Sequence, residues 1–570
     1  MILQALVDYY KRKSADPDSS ISPPGFENKD IPFLVQLNRE GKFMGIEDTR
    51  DKDGKKLKGK IFQIPQAIKR SGSKAPANFL WDNPAYVFGR PSPEKPADAS
   101  WKKEAFLYEL KNRYPQLIEN SEIKAVIKFL ETDFLPSLEQ DPNWQEIVEN
   151  QPNITFQIAG MNHLVCQHEE VIRAISVSKD THKRMGTCLI TGEEDSISEI
   201  HHAIKGVNGS NTSGANFVSF NWDAVESYHK IRGFNSPIGE WACFAYTTAL
   251  NHLLRSRQKL SFGDSTTIIF WAERPVEMED LLGAMFDSPR KDDPDRMTLS
   301  VKRLYDSYKI GSLSNNENST RFYVLGISPN AARLSARFWW TGTVRDLSFN
   351  LKQYFDDLQI VHSWDNREHF SLYQLIQGLA PQGDVQKVNP RMAGSFLKSI
   401  FQGTIFPSYL ITSVLSRLKD KEGISHRRVA VIKCWINRFT RHHQILEKEV
   451  QVALDEANEN VGYRLGRLFA VLEKIQEEAL VGNSGSTIRE RFYGAASSNP
   501  VAIFHRLLKL KNHHLSKLES KGRVVNFEKL IAEILATVTD FPSILSLDDQ
   551  GRFAIGYYHQ RQQFFTKTEK

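Results

Sequence analysis

The chain has 570 residues, 74 Lys and Arg against 68 Asp and Glu, and a formal charge of +6. With 40% hydrophobic and 25% charged residues it has the composition of an ordinary globular protein of several domains, which excludes extended disorder, collagen-like repeats and a coiled-coil rod. Four cysteines exclude a disulfide scaffold and suit a reducing compartment.

The N-terminus, MILQALVDYYKRK, has too short an apolar start for a signal-peptide core. Residues 1–90 read as strands and loops. IPFLVQLNREGKFMGIEDTRD holds two alternating apolar runs around Glu40-Gly41, a hairpin signature. From Lys52 to Lys74 eight basic residues (Lys52, Lys55, Lys56, Lys58, Lys60, Lys69, Arg70, Lys74) face Asp53 alone. A strand is expected at Lys60 to Ile64, and a Pro/Ser linker, RPSPEKPADAS, at 90–100. The 3.6-residue spacing of Phe106, Leu110 and Tyr114, then Ile123, Val126, Phe129 and Leu130, predicts helices between Trp101 and Asn150.

Residues 154–360 mix predicted strands (ITFQIAG, GTCLITG, NFVSFNW, STTIIFWAE, RFYVLGISP) with helices, among them Glu240 to Leu254. The polar stretch 285–320 reads as a surface insertion. The most apolar longer stretch, Phe396 to Leu418, contains Lys398, Gln402, Pro407 and Arg417. It therefore does not supply the roughly 20 apolar residues that a membrane helix needs, and a cytoplasmic protein is expected.

Beyond about residue 370 the strand signals fade. Thr487-x-x-Glu490 fits a capping box, and Ser498-Asn499-Pro500 an N-cap followed by proline. Apolar stripes recur at Val461, Leu465, Leu468, Phe469 and Leu472, at Phe504, Leu507, Leu508, Leu515 and Leu518, and at Phe527, Leu530, Ile531, Ile534 and Leu535. The expected fold class is α+β: a mixed N-terminal region with antiparallel strands, then a C-terminal helical bundle. Expected divisions are 1–150, 151–370, a helical connector at 371–445, and the bundle at 446–570.

Charge is unevenly placed. Residues 401–570 hold 25 Lys and Arg against 18 Asp and Glu, so the tail carries the whole surplus. His505, Lys509, His513 and Lys517 recur every four residues, a spacing that lines one helix face and can follow a phosphate backbone. Arg489, Arg491, Arg506, Lys511, Lys521 and Arg523 lie nearby in sequence. Two separate basic regions point to a polyanion contacted at two places. Two solvated faces are the plainer alternative.

Catalytic signatures are missing. No G-x-x-x-x-G-K-[ST], H-E-x-x-H or G-x-S-x-G occurs. His201-His202, His442-His443 and His513-His514 are adjacent pairs, which on a helix diverge by about 100° and seldom share an ion. Cys166, Cys188, Cys243 and Cys434 have no C-x-x-C spacing. No metal or cofactor is expected, and a non-enzyme is the reading; the alternative is a metal-dependent nuclease with a dispersed active site.

Several segments in order resemble one family, the large subunit of the type I-C CRISPR interference complex (Cascade). They are MILQALVDYY, the lysine run ending near Lys74, NFLWDN (78–83), CLITGEEDSISEIHHAIKGV (188–207), SGANFVSFN (213–221), ESYHK (226–230) and AYTTALNHLL (245–254). IFWAE (269–273), VLGISPNAARLSARFW (324–339), LGRLFAVLEKIQEEA (465–479) and DDQGRFAIGYYHQRQ (548–562) follow. One departure concerns the C-x-x-C that members can carry before the LITGE strand: here Met185 stands at the first position and only Cys188 remains.

The resemblance implies a subunit that recognises the protospacer-adjacent motif in double-stranded DNA, aids duplex opening and R-loop formation, and stabilises the displaced single strand. Its tail would resemble the Cascade small subunit. Guide RNA would read the long target, within a complex of backbone and small subunits, and a recruited helicase-nuclease would cleave. No membrane partner is implied.

For that role the expected contacts are Lys55, Lys56, Lys58, Lys60, Lys69, Arg70 and Lys74 on phosphates, Asn78 on base edges and Phe79 as a wedge. Phe79, Leu80 and Trp81 suit a core equally, Trp81 especially. A glycine-rich loop adds Lys205, Asn208, Asn211 and Ser213, and the tail adds Arg489, Arg491, His505, Lys509 and Lys517. The resemblance further implies a separately made small subunit. An internal start at Val450 or Val452 would give 121 or 119 residues.

Overall fold

The computed structural model describes residues 1–53, 56–68, 76–94, 100–177, 184–220, 222–262, 266–286, 296–310, 315–362, 369–384, 390–419, 423–445, 448–480 and 487–565. They fall into two compact units, Met1–Ile204 with Val218–His252, and Lys205–Phe217 with Leu253–Lys570.

The first unit opens on a helix, Ile2–Ser14, where strands and loops were expected. Leu6, Tyr9 and Tyr10 recur on its buried face, the amphipathic spacing of a docked helix. Strands β1 (Phe26–Ile31), β2 (Phe33–Leu37), β3 (Phe43–Asp48), β4 (Asp51–Asp53), β5 (Lys56–Lys58), β6 (Lys60–Pro65), β7 (Trp81–Asp82) and β8 (Ile154–Ile158) follow. The main sheet has the order β3-β2-β8-β7. β2 and β3 form the hairpin expected around Gly41, and β8 joins β2 in parallel from the far side of position 150. Gly41 has φ +81, and a methyl there would lie 2.6 Å from the Ala125 carbonyl, so the turn needs glycine twice over. That carbonyl belongs to the helix Ser121–Glu131, which buries Ile123, Val126, Phe129 and Leu130 as the periodicity predicts. Phe106 and Phe129 both meet Phe156 of β8. β1 pairs with β6 as a separate antiparallel ribbon.

Strands β9 (Met185–Thr187) and β10 (Glu194–Ser196) form a small hairpin. The predicted strand GTCLITG stops at Thr187, because residues 189–191 turn. Among its described residues NFVSFNW contributes only a bridge at Asn216.

In the second unit β11 (Lys259–Phe262), β12 (Thr266–Ala272), β13 (Arg321–Asn330) and β14 (Arg333–Thr343) make an antiparallel sheet in that order. All of β12 is buried. The supposed insertion contains a helix, Arg296–Ile310, whose Val301 and Leu304 enter the core; its polar composition masked a narrow apolar stripe. From Val344 onward every regular element among the described residues is a helix, and the fold is α+β.

Asp357, at the end of the helix Val344–Leu358, lies buried against Arg438 (3.3 Å) and Arg441 of the helix His426–His442. Val450 is tied to that second helix by two hydrogen bonds with Asn437, of 2.8 and 3.1 Å. The tail helices Val461–Ala479 and Leu547–Phe565 cross through glycines: Gly462 and Gly466 face the backbone of Asp549 and Phe553, and Gly556 faces Tyr463. On the other side Gly551 rests against Ile432 and Ile436. The capping box at Thr487 and Glu490 is present, starting the helix Ile488–Ser498. Pro500 opens the next, Pro500–Leu515, and Lys521–Leu535 follows. One continuous apolar core runs from β11 through the tail.

Candidate nucleic-acid interface

The lysine run forms a β-finger. β4 and β5 pair antiparallel, Asp51 opposite Lys58 and Asp53 opposite Lys56. Opposite charges across a ladder, as at Asp51 and Lys58, favour the pairing. Lys55 lies outside the described residues, and Lys56 is described only as backbone in β5. Lys58 and Lys60 are exposed along the outgoing strand.

The base of the finger is fixed by three residues. The Thr49 hydroxyl donates to the Ile31 carbonyl at 2.5 Å and accepts from the Lys60 amide at 3.2 Å. Arg50 lies over the Phe33 ring at 4.5 Å and forks between Asp48 (2.7 Å) and Glu146 (2.9 Å). Its guanidinium holds both carboxyls below their usual range, while they raise its own. Bidentate arginine pairs of this kind fix orientation as well as charge. Gly59 allows the strand to lie against β1, since a methyl there would fall 2.7 Å from the Asp30 carboxylate and the Pro32 nitrogen. The base of the finger is therefore held from three sides.

Lys69, Arg70 and Lys74 lie outside the described residues, but the two ends of their segment are tied together. The Asn78 side-chain carbonyl accepts from the Ile68 amide at 2.9 Å, and the Asn78 amide donates to Asp82 at 2.9 Å. Asn78 is only 4% exposed, and Phe79 packs edge-on against Tyr114 at 4.9 Å. This placement corrects the expectation that they face DNA: the amide is committed to the backbone and the ring to the core. Trp81 is a core residue, its indole donating to the Pro65 carbonyl at 2.7 Å.

In the second unit the loop after Lys205 uses three left-handed glycines, Gly206, Gly209 and Gly214. The Asn208 amide donates to Thr267 at 3.1 Å, and Lys259 donates to the Gly206 carbonyl at 2.7 Å, so the loop is sewn to the sheet. Lys205 and Asn208 are half-buried, whereas Asn211 and Ser213 are exposed at the tip.

On the tail, His505, Lys509 and His513 are exposed on the Pro500–Leu515 helix opposite buried Phe504, Leu507 and Leu515, and Lys517 is exposed just beyond its end. His514 is half-buried, and burial, then His513 and Lys517, lower its proton affinity. The neighbouring cations are partly committed. Lys511 pairs with Glu528 at 2.8 Å and Arg523 with Glu478 at 2.7 Å, while Arg506 lies over Phe492. Arg491 is exposed and Arg489 half-buried against Gly423.

All four cysteines are buried thiols. Burial pushes the Cys188 thiol up, but the backbone N–H groups of Gly239, Thr191 and Ile190 outweigh it and leave it below its usual value. Among the described residues no three His, Cys, Asp or Glu side chains converge as metal ligands. No helix among them is long and apolar enough to cross a membrane.

Sequence reasoning missed the Arg50 joint, because Glu146 is 96 residues away. Only the Asp48-x-Arg50 spacing hinted at it.

A basic finger on a braced base and a tail helix with an outward cationic face are features suited to contact a polyanion. The family model described as CRISPR-associated protein (Cas_Csd1) matches residues 6–565. The chain belongs to that family of CRISPR-associated proteins. No curated protein matches it closely enough to count as a relative.

Proposed function

We propose that the chain is the non-catalytic large subunit of a type I-C RNA-guided Cascade. In this reading it recognises the protospacer-adjacent motif in duplex DNA, helps open the duplex, and stabilises the displaced strand. The β4–β5 ribbon is the observation that carries it: an antiparallel pair ending in exposed Lys58, with exposed Lys60 just beyond, suited to follow phosphates. The tail face of His505, Lys509, His513 and Lys517 supports a role along the single strand. The tail then stands in for a small-subunit-like module, and cleavage belongs to a helicase-nuclease that the complex recruits. Base reading falls to groups other than Asn78, whose part is to close the base of the 69–75 segment.

Filter binding of the guide-loaded complex over a salt series tests the reading. Each phosphate contact contributes a slope of about 0.9, so Lys58→Ala/Lys60→Ala should flatten the slope by about 1.8 and weaken every duplex alike. An unchanged slope removes the finger from the interface. Metal-dependent cleavage by the isolated chain would overturn the non-catalytic reading.

A further inference from the structure

Outside the finger and the tail face, residues 226–235 of the first unit form a tightly bonded turn. Tyr228 and His229 both have positive φ, +52° and +58°, and the Lys230 amide donates to the Ser227 carbonyl at 2.9 Å. Two left-handed residues closed by that bond are a type I′ turn, which normally selects Asn-Gly. Here a tyrosine and a histidine occupy it, and Arg232 is left-handed as well.

The strain is held by a clamp. Asn235 accepts from the Ser227 amide at 2.9 Å and donates to the carbonyls of Lys230 (2.7 Å) and Arg232 (3.0 Å). Arg232 pairs with Glu199 at 2.9 Å. Gly233 packs so tightly that a methyl would lie 2.8 Å from the Glu199 carbonyl. Strained backbone that its surroundings over-determine is found where a side chain must be presented. What this turn presents is Tyr228, 92% exposed, followed by exposed His229 and Lys230.

We infer that the Tyr228–His229 turn is a stacking platform for a nucleobase left unpaired where the duplex opens, with His229 and Lys230 on the adjoining phosphates. The inference rests on the DNA-opening reading above. A nucleobase matches this tip because one rigid ring with cations beside it is how proteins hold single bases. Ile231 beyond the tip and Trp222 before it are exposed as well, so a protein partner is the competing outcome that the test below distinguishes. The turn also belongs to the same compact unit as the β-finger.

The test uses the guide-loaded complex with duplex and forked DNA carrying 5-iododeoxyuridine near the fork. Photo-crosslinking followed by peptide mapping should place the adduct on the Tyr228 peptide with forked DNA. Tyr228→Ala should weaken forked-DNA binding about tenfold and fully paired DNA less than twofold; Tyr228→Phe, which keeps the ring, should bind as wild type. Equal binding of both DNAs by Tyr228→Ala, while Lys58→Ala/Lys60→Ala still weakens them, overturns this inference alone. Release of the Tyr228→Ala chain from the complex marks a protein contact and likewise overturns it. A wild-type complex that binds neither DNA overturns the functional reading together with this one.

Discussion

Replacing Gly466 by alanine adds one methyl group at the place where two tail helices touch backbone to backbone. That methyl would lie on the Phe553 peptide, 2.8 Å from its carbonyl carbon and 2.9 Å from the Tyr557 nitrogen, closer than the 3.0 Å that real Cβ atoms respect. No side chain can swing away, so the helices Val461–Ala479 and Leu547–Phe565 must separate. Overpacking costs about 1–3 kcal/mol, and a rigid backbone obstacle puts the site at the upper end. Alanine returns about 1 kcal/mol through helix propensity, leaving a net loss of about 2 kcal/mol. Gly494, inside the helix Ile488–Ser498, is the control: its nearest neighbour is the flexible Lys419 chain at 3.7 Å. Gly494→Ala should therefore stabilise its helix by about 0.5–1 kcal/mol. Hydrogen exchange on the amides of 461–479 reads the first change locally, as a loss of protection of roughly 30-fold. Equal protection in Gly466→Ala and wild type would refute the close crossing. A gain in both variants would show that propensity alone governs the tail.

Asp357→Ala leaves Arg438 buried without its carboxylate, and loss of one partner of such a pair costs about 3–5 kcal/mol; a urea midpoint shifted by less than the equivalent of about 1 kcal/mol would contradict that. Burial lowers the proton affinity of His426 and His559 to pKa values of about 4 and about 3. Both stay neutral when folded but take up a proton below about 6.5 once unfolded. Stability should therefore fall as the pH drops from about 6.5 towards 4, by up to about 1.4 kcal/mol per pH unit for each histidine. Urea midpoints for His426→Phe should fall less steeply over that window, and an unchanged steepness would rule His426 out as a contributor.

How far the sequence reaches depends on the length over which the physics acts. The Gly41 hairpin, the 101–131 helices, the Thr487 capping box and the tail stripes were legible because each is decided within a few residues by spacing or turn chemistry. The helix Arg296–Ile310 was missed because Val301 and Leu304 sit among polar neighbours. The opening helix was missed because its apolar residues crowd into one short stretch. At the candidate interface the cationic run itself was legible, but its shape was not. The joint that aims the finger depends on Arg50 meeting Glu146, and the burial of Asn78 on a backbone amide across the 69–75 segment. The Tyr228 turn was hidden for a different reason: its residue types argue against the conformation they adopt, and the bonds of Asn235, together with the Arg232–Glu199 pair, hold it.

The bonds between Asn437 and Val450 bear on any product that begins at Val450 or Val452. In the full chain the tail is a continuation of the preceding core, with Gly551 seated on Ile432 and Ile436. A tail made alone would present that seat to water as an apolar strip along the Leu547–Phe565 helix. It would be a module born with one face open, and that face would define where such a product docks or pairs with its like.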